Sequence, residues 1–300
     1  MKQDFPRVGI AVLCRLFGKT RHAYYDSIWR KENSLVKEDI ILQEVVKIRK
    51  DLPRLGTRKL HYVLQAKLVS HQISFGRDYL FDLLSEHKLL IRQRKRKAIT
   101  TDSRHWMRKY SNLVKGLVVT RPEQVWVSDI TYIRLTNQWG YLSLITDAYS
   151  RKIMGFSFRQ DLAAEGCIDA LKMALSQRMY NEIIIHHSDR GSQYCSHNYV
   201  DVLLKNNIAI SMTENGDPYE NALAERVNGI IKTEFNLYSS PLGFEQTTNQ
   251  INKSIKAYNE LRPHASCDYL TPEQAHIKSE KLNKRWKNYT KSFNYEKTAV

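Results

Sequence analysis

The chain has 300 residues, of which 42% are hydrophobic and 26% charged, values typical of a globular protein with room for a catalytic domain and smaller modules. The sequence contains no run of roughly 20 apolar residues that would span a membrane, and its N-terminus lacks the apolar segment of a signal peptide. The four cysteines include no Cys-x-x-Cys pair. This absence argues against a cysteine zinc site and favours free thiols in a reducing cytoplasm.

The net charge of +16 is concentrated in the first third of the chain. Residues 1–110 carry 25 Lys and Arg against 11 Asp and Glu, whereas residues 111–300 carry 22 against 20. Nucleic-acid phosphates are the commonest partners of such a basic segment. We expect the densest run to contact the DNA backbone through Arg92, Arg94, Lys95, Arg96 and Lys97.

The first 50 residues predict a helical region. An apolar helix is expected over 8–17, with a break at Gly18, and Thr20 is placed to cap a second helix that runs to Arg30. This outline fits a helix-turn-helix that contacts DNA, and a plain helical hairpin fits it nearly as well. Residues 35–50 show helical periodicity that ends at Asp51, ahead of Pro53.

A second helix-turn-helix is predicted over 51–91. One helix is expected from Thr57 to about Leu68, followed by a turn at 71–73 and a helix from Ser74, as its cap, to about His87. We expect Arg77 and Tyr79, at the start of the second helix, to contact a DNA groove or its phosphates. Two such outlines in a basic segment favour DNA over RNA or a membrane. Residues 92–121 then form a basic linker that follows the DNA backbone.

From residue 124 onward the pattern is typical of an α/β domain. β-Branched and aromatic runs predict three consecutive strands, a fourth apolar strand and a short fifth strand. Helices are expected after the third strand, between the fourth and fifth strands, and after the fifth. The predicted strands are 124–134, 140–149, 152–159, 182–186 and 208–212, and the predicted helices are 163–178, 196–205, about 219–235 and one from about 248. A mixed sheet with helices on its faces follows.

Three carboxylates occupy positions suited to metal chemistry. Asp129 lies in the apolar first strand, Asp189 follows the buried fourth strand, and Glu225 lies on the helix near residues 219–235. Ligand sites of open α/β sheets lie beyond the carboxyl ends of strands. Oxygen donors without a cysteine or histidine cage suit Mg²⁺ or Mn²⁺. Two such ions held by three carboxylates can cleave and join phosphodiester bonds.

Five separated segments carry a resemblance to a known family. The first four read Arg-Leu-Gly-Thr-Arg-Lys-Leu at 54–60, Trp-x-Ser-Asp-Ile-Thr-Tyr at 126–132, His-Ser-Asp-x-Gly-Ser-Gln-Tyr at 187–194 and Asn-Ala-Leu-Ala-Glu at 221–225. The fifth, near the C-terminus, consists of two motifs: Tyr-Asn-Glu-x-Arg-Pro-His at 258–264 and Thr-Pro-Glu-Gln-Ala at 271–275. Together they resemble bacterial insertion-sequence transposases with a retroviral-integrase-type core. Within that group the chain resembles the downstream-frame product of elements that encode their transposase in two overlapping frames.

The resemblance implies a ribonuclease-H-like fold and a DDE-type DNA transposase with two Mg²⁺ ions, or Mn²⁺ as a substitute. It assigns the Asp-Asp-Glu triad to Asp129, Asp189 and Glu225. The implied partners are double-stranded DNA of the element ends and the target, further copies of the chain on DNA, and the upstream-frame product, so that the chain can be part of the working enzyme. The implied location is the bacterial cytoplasm, in association with the nucleoid. Two departures, Arg190 and Glu220, lie near the triad.

The expected organisation is a helical region over 1–50, a helix-turn-helix over 51–91, a basic linker over 92–121, a catalytic core over 122–280 and a basic tail over 281–300. Lys232 is expected to reach a phosphate because it lies two helical turns after Glu225. Two rival functions remain open: a nuclease of the same fold, and a DNA-binding repressor of the full transposase.

Several other residues keep two interpretations at this stage. His187 can line the site or serve as a hydrogen-bonded structural histidine, and Arg262 can grip a phosphate or pack at the end of a helix. Tyr132 and Trp126 favour core packing over base stacking.

Overall fold

The computed structural model describes residues 6–91, 106–214, 221–238, 241–278 and 282. The chain divides into two compact units. One unit comprises Met1–Lys50 and Leu60–Leu90, and the other comprises Asp51–Lys59 and Ile91–Val300. The basic run at 92–97 and the C-terminal tail from 283 onward lie outside the described residues, so the predictions made for them are not tested here.

The N-terminal unit is helical, as predicted. Helices α1 (Ile10–Leu16) and α2 (Arg21–Asp51) are separated by Gly18, which adopts a φ of 62°, and the Thr20 hydroxyl accepts a hydrogen bond from the Ala23 amide at 3.1 Å. The prediction of separate helices ending at Arg30 and beginning at 35 was wrong. No glycine or proline interrupts 31–34, so the helix continues through this polar stretch to Asp51.

Helices α3 (Thr57–Leu68) and α4 (Arg77–Glu86) form the second predicted pair, joined through a 3₁₀ turn at Val69–His71. Their packed faces consist of leucines that are at most 4% exposed: Leu60, Leu64, Leu68, Leu80, Leu83 and Leu84. The predicted cap at Ser74 was wrong, because Gly76 occupies the N-cap position of α4 without a side-chain cap. The first residue of α4 is therefore Arg77.

The second unit is built on a five-stranded mixed sheet within the described residues. Its strands are β1 (Val125–Arg134), β2 (Trp139–Asp147), β3 (Ile153–Arg159), β4 (Ile185–Ser188) and β5 (Ala209–Met212), in the order β3-β2-β1-β4-β5. The β1–β2 and β2–β3 pairs are antiparallel, whereas β4 pairs in parallel with β1 and β5. This arrangement confirms the predicted meander followed by alternating helices and strands.

Strand β4 lies about three residues later than predicted. Pairing with β1 sets its start, since Val125 is the first residue of β1 and lies opposite Ile185. The apolar residues before Ile185 therefore lie ahead of the paired strand, where the Ile184 carbonyl oxygen accepts from the Ala209 amide of β5. The apolar run marked the segment correctly, but the register depended on a partner strand that is 60 residues away in sequence.

Helices cover the sheet: α5 (Ala164–Ser176), α6 (Ser192–Cys195), α7 (His197–Lys205), α8 (Ala222–Glu234), α9 (Phe244–Glu260) and α10 (Pro272–Ile277), with a 3₁₀ turn at Ala265–Cys267. Helix α5 packs so closely on β3 that a Cβ on Gly155 would lie 2.1 Å from the Ala170 carbonyl oxygen. Helix α9 begins four residues earlier than the predicted start near 248, after Gly243 at its N-cap.

The last helix is fixed to the sheet by a buried polar cluster. His276 of α10 lies 3.3 Å from a Glu123 carboxylate oxygen through Nε2 and 3.8 Å from Asp147 Oδ2 through Nδ1, and all three side chains are fully buried. Burial alone would lower the pKa of His276, but the hydrogen bonds to Asp147 and Glu123 raise it above its ordinary value. The imidazolium form therefore stabilises the docking of α10.

Two further expectations are tested by the described residues. All four cysteines are free and buried. No described helix is long and apolar enough to cross a membrane.

Candidate active site

Asp129 lies on β1, the middle strand of the sheet, where it pairs with Leu144 of β2. Side chains alternate between the two faces of a strand, so Val125, Val127 and Asp129 share a face. The two valines pack against Ala224 of α8. The same helix supplies a donor to Asp129, because the Asn228 side-chain amide donates to its Oδ2 at 2.8 Å.

The environment of Asp129 makes its carboxyl harder to ionise than an ordinary aspartate. Burial is the largest cause, the neighbouring carboxylates of Asp189 and Glu225 add to it, and the hydrogen bond from Asn228 opposes it. Together they raise the pKa of Asp129 from 3.8 to about 7. The fold therefore brings Asp189 and Glu225 within electrostatic range of Asp129.

Asp189 directly follows β4. Because β4 runs parallel to β1, its carboxyl end points in the direction in which Asp129 lies along β1. The Gly191 amide donates to Asp189 Oδ1 at 3.0 Å, and a Cβ on residue 191 would lie 3.0 Å from that same oxygen. A side chain at 191 would therefore crowd the carboxylate that its backbone amide orients.

Glu225 lies in the first turn of α8 and is exposed. The helix is attached to β1 on both sides of this turn. At its start, the Asn221 side-chain amide donates to the Ser128 carbonyl oxygen at 3.0 Å. One turn beyond Glu225, Asn228 binds Asp129. The two asparagines are buried, and they hold the helix that carries Glu225 against the strand that carries Asp129.

The donor set suits a hard divalent cation. All three candidate ligands are carboxylates, which Mg²⁺ and Mn²⁺ prefer, and a cation would remove the repulsion that raises the pKa of Asp129. Among the described residues, no group of three or more His, Cys, Asp or Glu side chains stands in an arrangement that could hold a metal ion as it is. Asn228 Oδ1 is buried without a hydrogen-bond partner, so one polar atom beside Asp129 is left to receive a donor.

Comparison with known proteins gives consistent matches in this region. Models of the family described as Integrase core domain match residues 119–218 and 206–272. A Shigella sonnei protein of 31 kDa from the insertion element IS600 is 31% identical over 264 residues, which cover 87% of this chain and 96% of that protein. The chain belongs to the insertion-sequence transposases with an integrase core domain.

Two further proteins are similar to about half of this chain. The Escherichia coli transposase InsF of insertion sequence IS3A is 36% identical over 163 residues, which cover 54% of this chain and 57% of that protein. A solved structure of the HTLV-2 integrase catalytic core in complex with magnesium has a TM-score of 0.43 at 23% identity and covers 52% of this chain and 97% of that one. The ribonuclease-H-like assignment follows from the strand order and the integrase-core match. The transposase is thus a DDE-type polynucleotidyl transferase.

The structure decides between the interpretations of three further residues. His187 is fully buried and its Nδ1 lies 2.8 Å from the Ser211 hydroxyl of β5. It is therefore a hydrogen-bonded structural histidine and does not line the site. Trp126 is fully buried in the core, as predicted. Arg262 is 1% exposed and binds Glu234, so it packs inside the core and is closed to a DNA phosphate.

Two side chains near the site remain accessible. Tyr132 is half-buried, in edge-to-face contact with Tyr141 at a centroid distance of 5.2 Å. Lys232 lies on α8 two turns after Glu225, and its amine stands 5.3 Å from the centre of the Tyr238 ring. The role of Lys232 in binding phosphate stays a prediction.

The candidate DNA contacts of α4 are placed at the start of that helix. Arg77 is exposed and its Nε donates to the adjacent Asp78 at 2.8 Å. The Tyr79 hydroxyl donates to Glu38 of α2 at 3.1 Å, so part of its polar capacity is already used within the unit. Both contacts remain predictions, as do those of Arg92, Arg94, Lys95, Arg96 and Lys97, which lie outside the described residues.

Sequence reasoning missed Asn228. A signal was present, because Asn228 lies three residues after Glu225 and residues at this spacing share a helix face. Asparagine is uncommon in the middle of a helix, where its side chain competes for backbone hydrogen bonds. A mid-helix asparagine one turn from a predicted metal ligand therefore indicates that its side chain belongs to the same polar site as that ligand.

Proposed function

We propose that this transposase cleaves DNA at the ends of an insertion element and transfers the ends to new DNA, with Asp129, Asp189 and Glu225 as ligands of two Mg²⁺ ions. The observation that carries the proposal is the position of Asp129 beside two further carboxylates: burial contributes most to its raised pKa, and Asp189 and Glu225 add to the rise. Neighbouring carboxylates repel one another, and a divalent cation bound between them would compensate this repulsion by attracting each of them. The donor chemistry and the family agree with this assignment.

Each side chain has a defined task in this proposal. Asn228 fixes the orientation of the Asp129 carboxylate, the Gly191 amide does the same for Asp189, and Glu225 approaches from the exposed first turn of α8. Asp129, Asp189 and Glu225 would hold the divalent ions, whose chemistry would be to activate a water or 3′-hydroxyl and to stabilise the leaving oxygen. Closed packing beneath the carboxylates by Val127 and Ala224 keeps water out of the underside of the site.

DNA binding is assigned to basic residues outside the triad. Lys232 is proposed to hold a phosphate near the cut site, Arg77 and Tyr79 to contact the element end, and the basic side chains of 92–97 to follow the backbone. We further propose that copies of the chain assemble on DNA, that the upstream-frame product takes part, and that the protein works at the bacterial nucleoid.

A labelled duplex that carries a candidate element end tests the triad. Asp129→Asn, Asp189→Asn and Glu225→Gln should each reduce cleavage by at least 100-fold and leave DNA affinity within about twofold, because each removes a ligand charge and leaves the basic residues intact. Asp201→Asn on the exposed face of α7 is the matched control, and it should keep wild-type cleavage. Near-wild-type cleavage by any triad variant would remove that residue from the assignment.

Metal dependence and product analysis separate the rival functions. Cleavage should require Mg²⁺ or Mn²⁺ and cease in chelator, whereas Ca²⁺ should support binding only. Joined products in addition to cut ends establish strand transfer. Cut ends without joined products would favour a nuclease, and binding without either product would favour a repressor.

A further inference from the structure

The far end of α8 carries a partly buried ion pair on the side opposite the active site. Glu234 follows Glu225 by nine residues, which is about 13 Å along the helix axis and two and a half turns. The two glutamates therefore project from opposite faces. Glu225 and Asn228 belong to the face near Asp129, whereas Glu234 is directed at the segment after α9.

Arg262 receives Glu234 in a two-pronged contact. Its Nε donates to Glu234 Oε2 at 2.8 Å, and its NH2 donates to Oε1 at 2.7 Å. The guanidinium side chain is 2% exposed and that of Glu234 is 23% exposed. Two parallel hydrogen bonds fix both the distance and the relative rotation of two groups, which a single contact does not.

The pair is itself held in place by the chain around it. The third guanidinium nitrogen of Arg262 lies 2.6 Å from His264 Nε2, and the guanidinium carbon lies 5.6 Å from the centre of the Tyr258 ring. On the other side, the Lys59 amine approaches Glu234 Oε1 at 3.5 Å, within the same compact unit. The polar groups of the pair are thus satisfied, and they do not serve as a ligand site.

Stability alone does not account for this arrangement. A buried ion pair often contributes no more to folding than well-packed apolar residues of the same volume. What it adds is a fixed geometry at one end of a stiff helix, and that helix presents a proposed metal ligand at its other end. The N-terminal end of α8 is hydrogen-bonded to β1 through Asn221, so both ends of the helix are attached to the rest of the unit.

We propose that Glu234 and Arg262 are positioning residues, which set the axial rotation and depth of α8 so that Glu225 reaches the cation shared with Asp129 and Asp189. The inference rests on the proposed function of the triad. It assigns no contact between either residue and DNA or metal.

Two variants of the full chain test this role. Arg262→Lys keeps the charge and removes the two-pronged geometry, and Glu234→Gln keeps the shape and removes the charge. Both should be measured well below their unfolding temperatures, with circular dichroism to confirm that the protein is folded. We expect Mn²⁺ binding, followed by electron paramagnetic resonance, to weaken by about tenfold. We also expect the Mg²⁺ concentration for half-maximal cleavage to rise by a similar factor.

A second ion pair supplies matched controls. Lys152 is 8% exposed and binds Glu273 at 2.9 Å, which links the sheet to α10 without touching α8. Lys152→Arg and Glu273→Gln should keep the wild-type affinity for Mn²⁺ and the wild-type Mg²⁺ requirement, even where the unfolding temperature falls.

The outcomes are distinguishable. Wild-type metal affinity and Mg²⁺ requirement in folded Arg262→Lys protein would overturn the positioning role and leave the proposed triad intact. An equal loss of metal affinity in the Lys152→Arg control would also overturn it, because any weakened ion pair would then have the same effect. Absence of Mn²⁺ binding and of metal-dependent cleavage in the wild type would overturn the proposed function and this inference with it.

Discussion

Replacing Asp129 with asparagine should abolish cleavage and, at the same time, stabilise the metal-free protein. In the fold the pKa of this carboxyl is about 7, against an ordinary value of 3.8. Because the folded-state pKa is the higher one, the ionised carboxylate opposes folding. This destabilisation of the fold is absent when the pH is below the ordinary pKa of aspartate. It grows as the pH rises and reaches its full size when the pH is above the folded-state pKa. The difference between the two values corresponds to about 4 kcal/mol, an upper limit.

Thermal unfolding of the catalytic unit in chelator, at pH 4 and at pH 8, measures this effect. The upper limit corresponds to a rise of roughly 10 °C in Tm at pH 8, and we expect about half of it, since the protein relaxes around an ionised group. The difference should be small at pH 4, just above the ordinary pKa, and saturating Mg²⁺ should reduce the difference at pH 8. Asp201→Asn, on the exposed face of α7, should change neither value. Equal stability of Asp129→Asn and wild type at pH 8 would refute the reasoning from like-charge repulsion and burial.

Three further predictions concern other groups. Asn228→Ala should raise the pH for half-maximal cleavage by about 1–2 units, because a hydrogen bond to a charged group contributes about 1.5–3 kcal/mol and Asp129 loses its donor; a pH–rate profile measures this. Neutralising the basic residues of 92–97 should flatten the salt dependence of DNA affinity by about 0.9 per lost phosphate contact without changing sequence preference, whereas Arg77→Ala should weaken a preferred end more than random DNA, by roughly 1–3 kcal/mol. A salt titration of the binding of both variants to a preferred end and to random DNA tests these two predictions. If Arg77→Ala weakened the binding of the two duplexes equally, α4 would contact phosphates and would not read the sequence. The wild-type core should lose stability as the pH rises above the ordinary range of histidine, in part because His276 is stabilised when protonated. His276→Gln should reduce this dependence in unfolding experiments and leave the contribution of Asp129, and an unchanged dependence would exclude His276 as a source.

The sequence predicted those parts of the fold that depend on local pattern. β-Branched and aromatic residues marked β1 to within one residue, and Ser196 was correctly placed at the start of α7, where its hydroxyl accepts from the Tyr199 amide. Errors arose where distant partners decide. The start of β4 depends on Val125 across the sheet, and the continuity of α2 through 31–34 depends on the absence of a breaker, not on an apolar stripe.

The candidate site divides in the same way. Asp129, Asp189 and Glu225 could be selected because acidic residues in apolar or strand-end contexts are unusual, and their distinctive flanks strengthened the choice. Asn228 was missed although its spacing from Glu225 was a signal, and Arg262 could not be assigned, because both residue types allow many roles and the partner decides between them. The partner of Asn228 is 99 positions away in sequence, and that of Arg262 is 28.

Helix α8 links these observations. It carries Glu225, which we propose as a metal ligand, and also Asn221, Asn228 and Glu234, which attach it to the rest of the core at its start, middle and end. Three like charges beside one strand destabilise the metal-free fold, so the carboxylates would move apart if the elements that bear them were free to shift. Rigid attachment of α8 opposes that movement and keeps the ligands gathered until a cation arrives. The unfolding experiment on Asp129→Asn and the metal-binding experiment on Arg262→Lys therefore both measure how firmly α8 is held against the core.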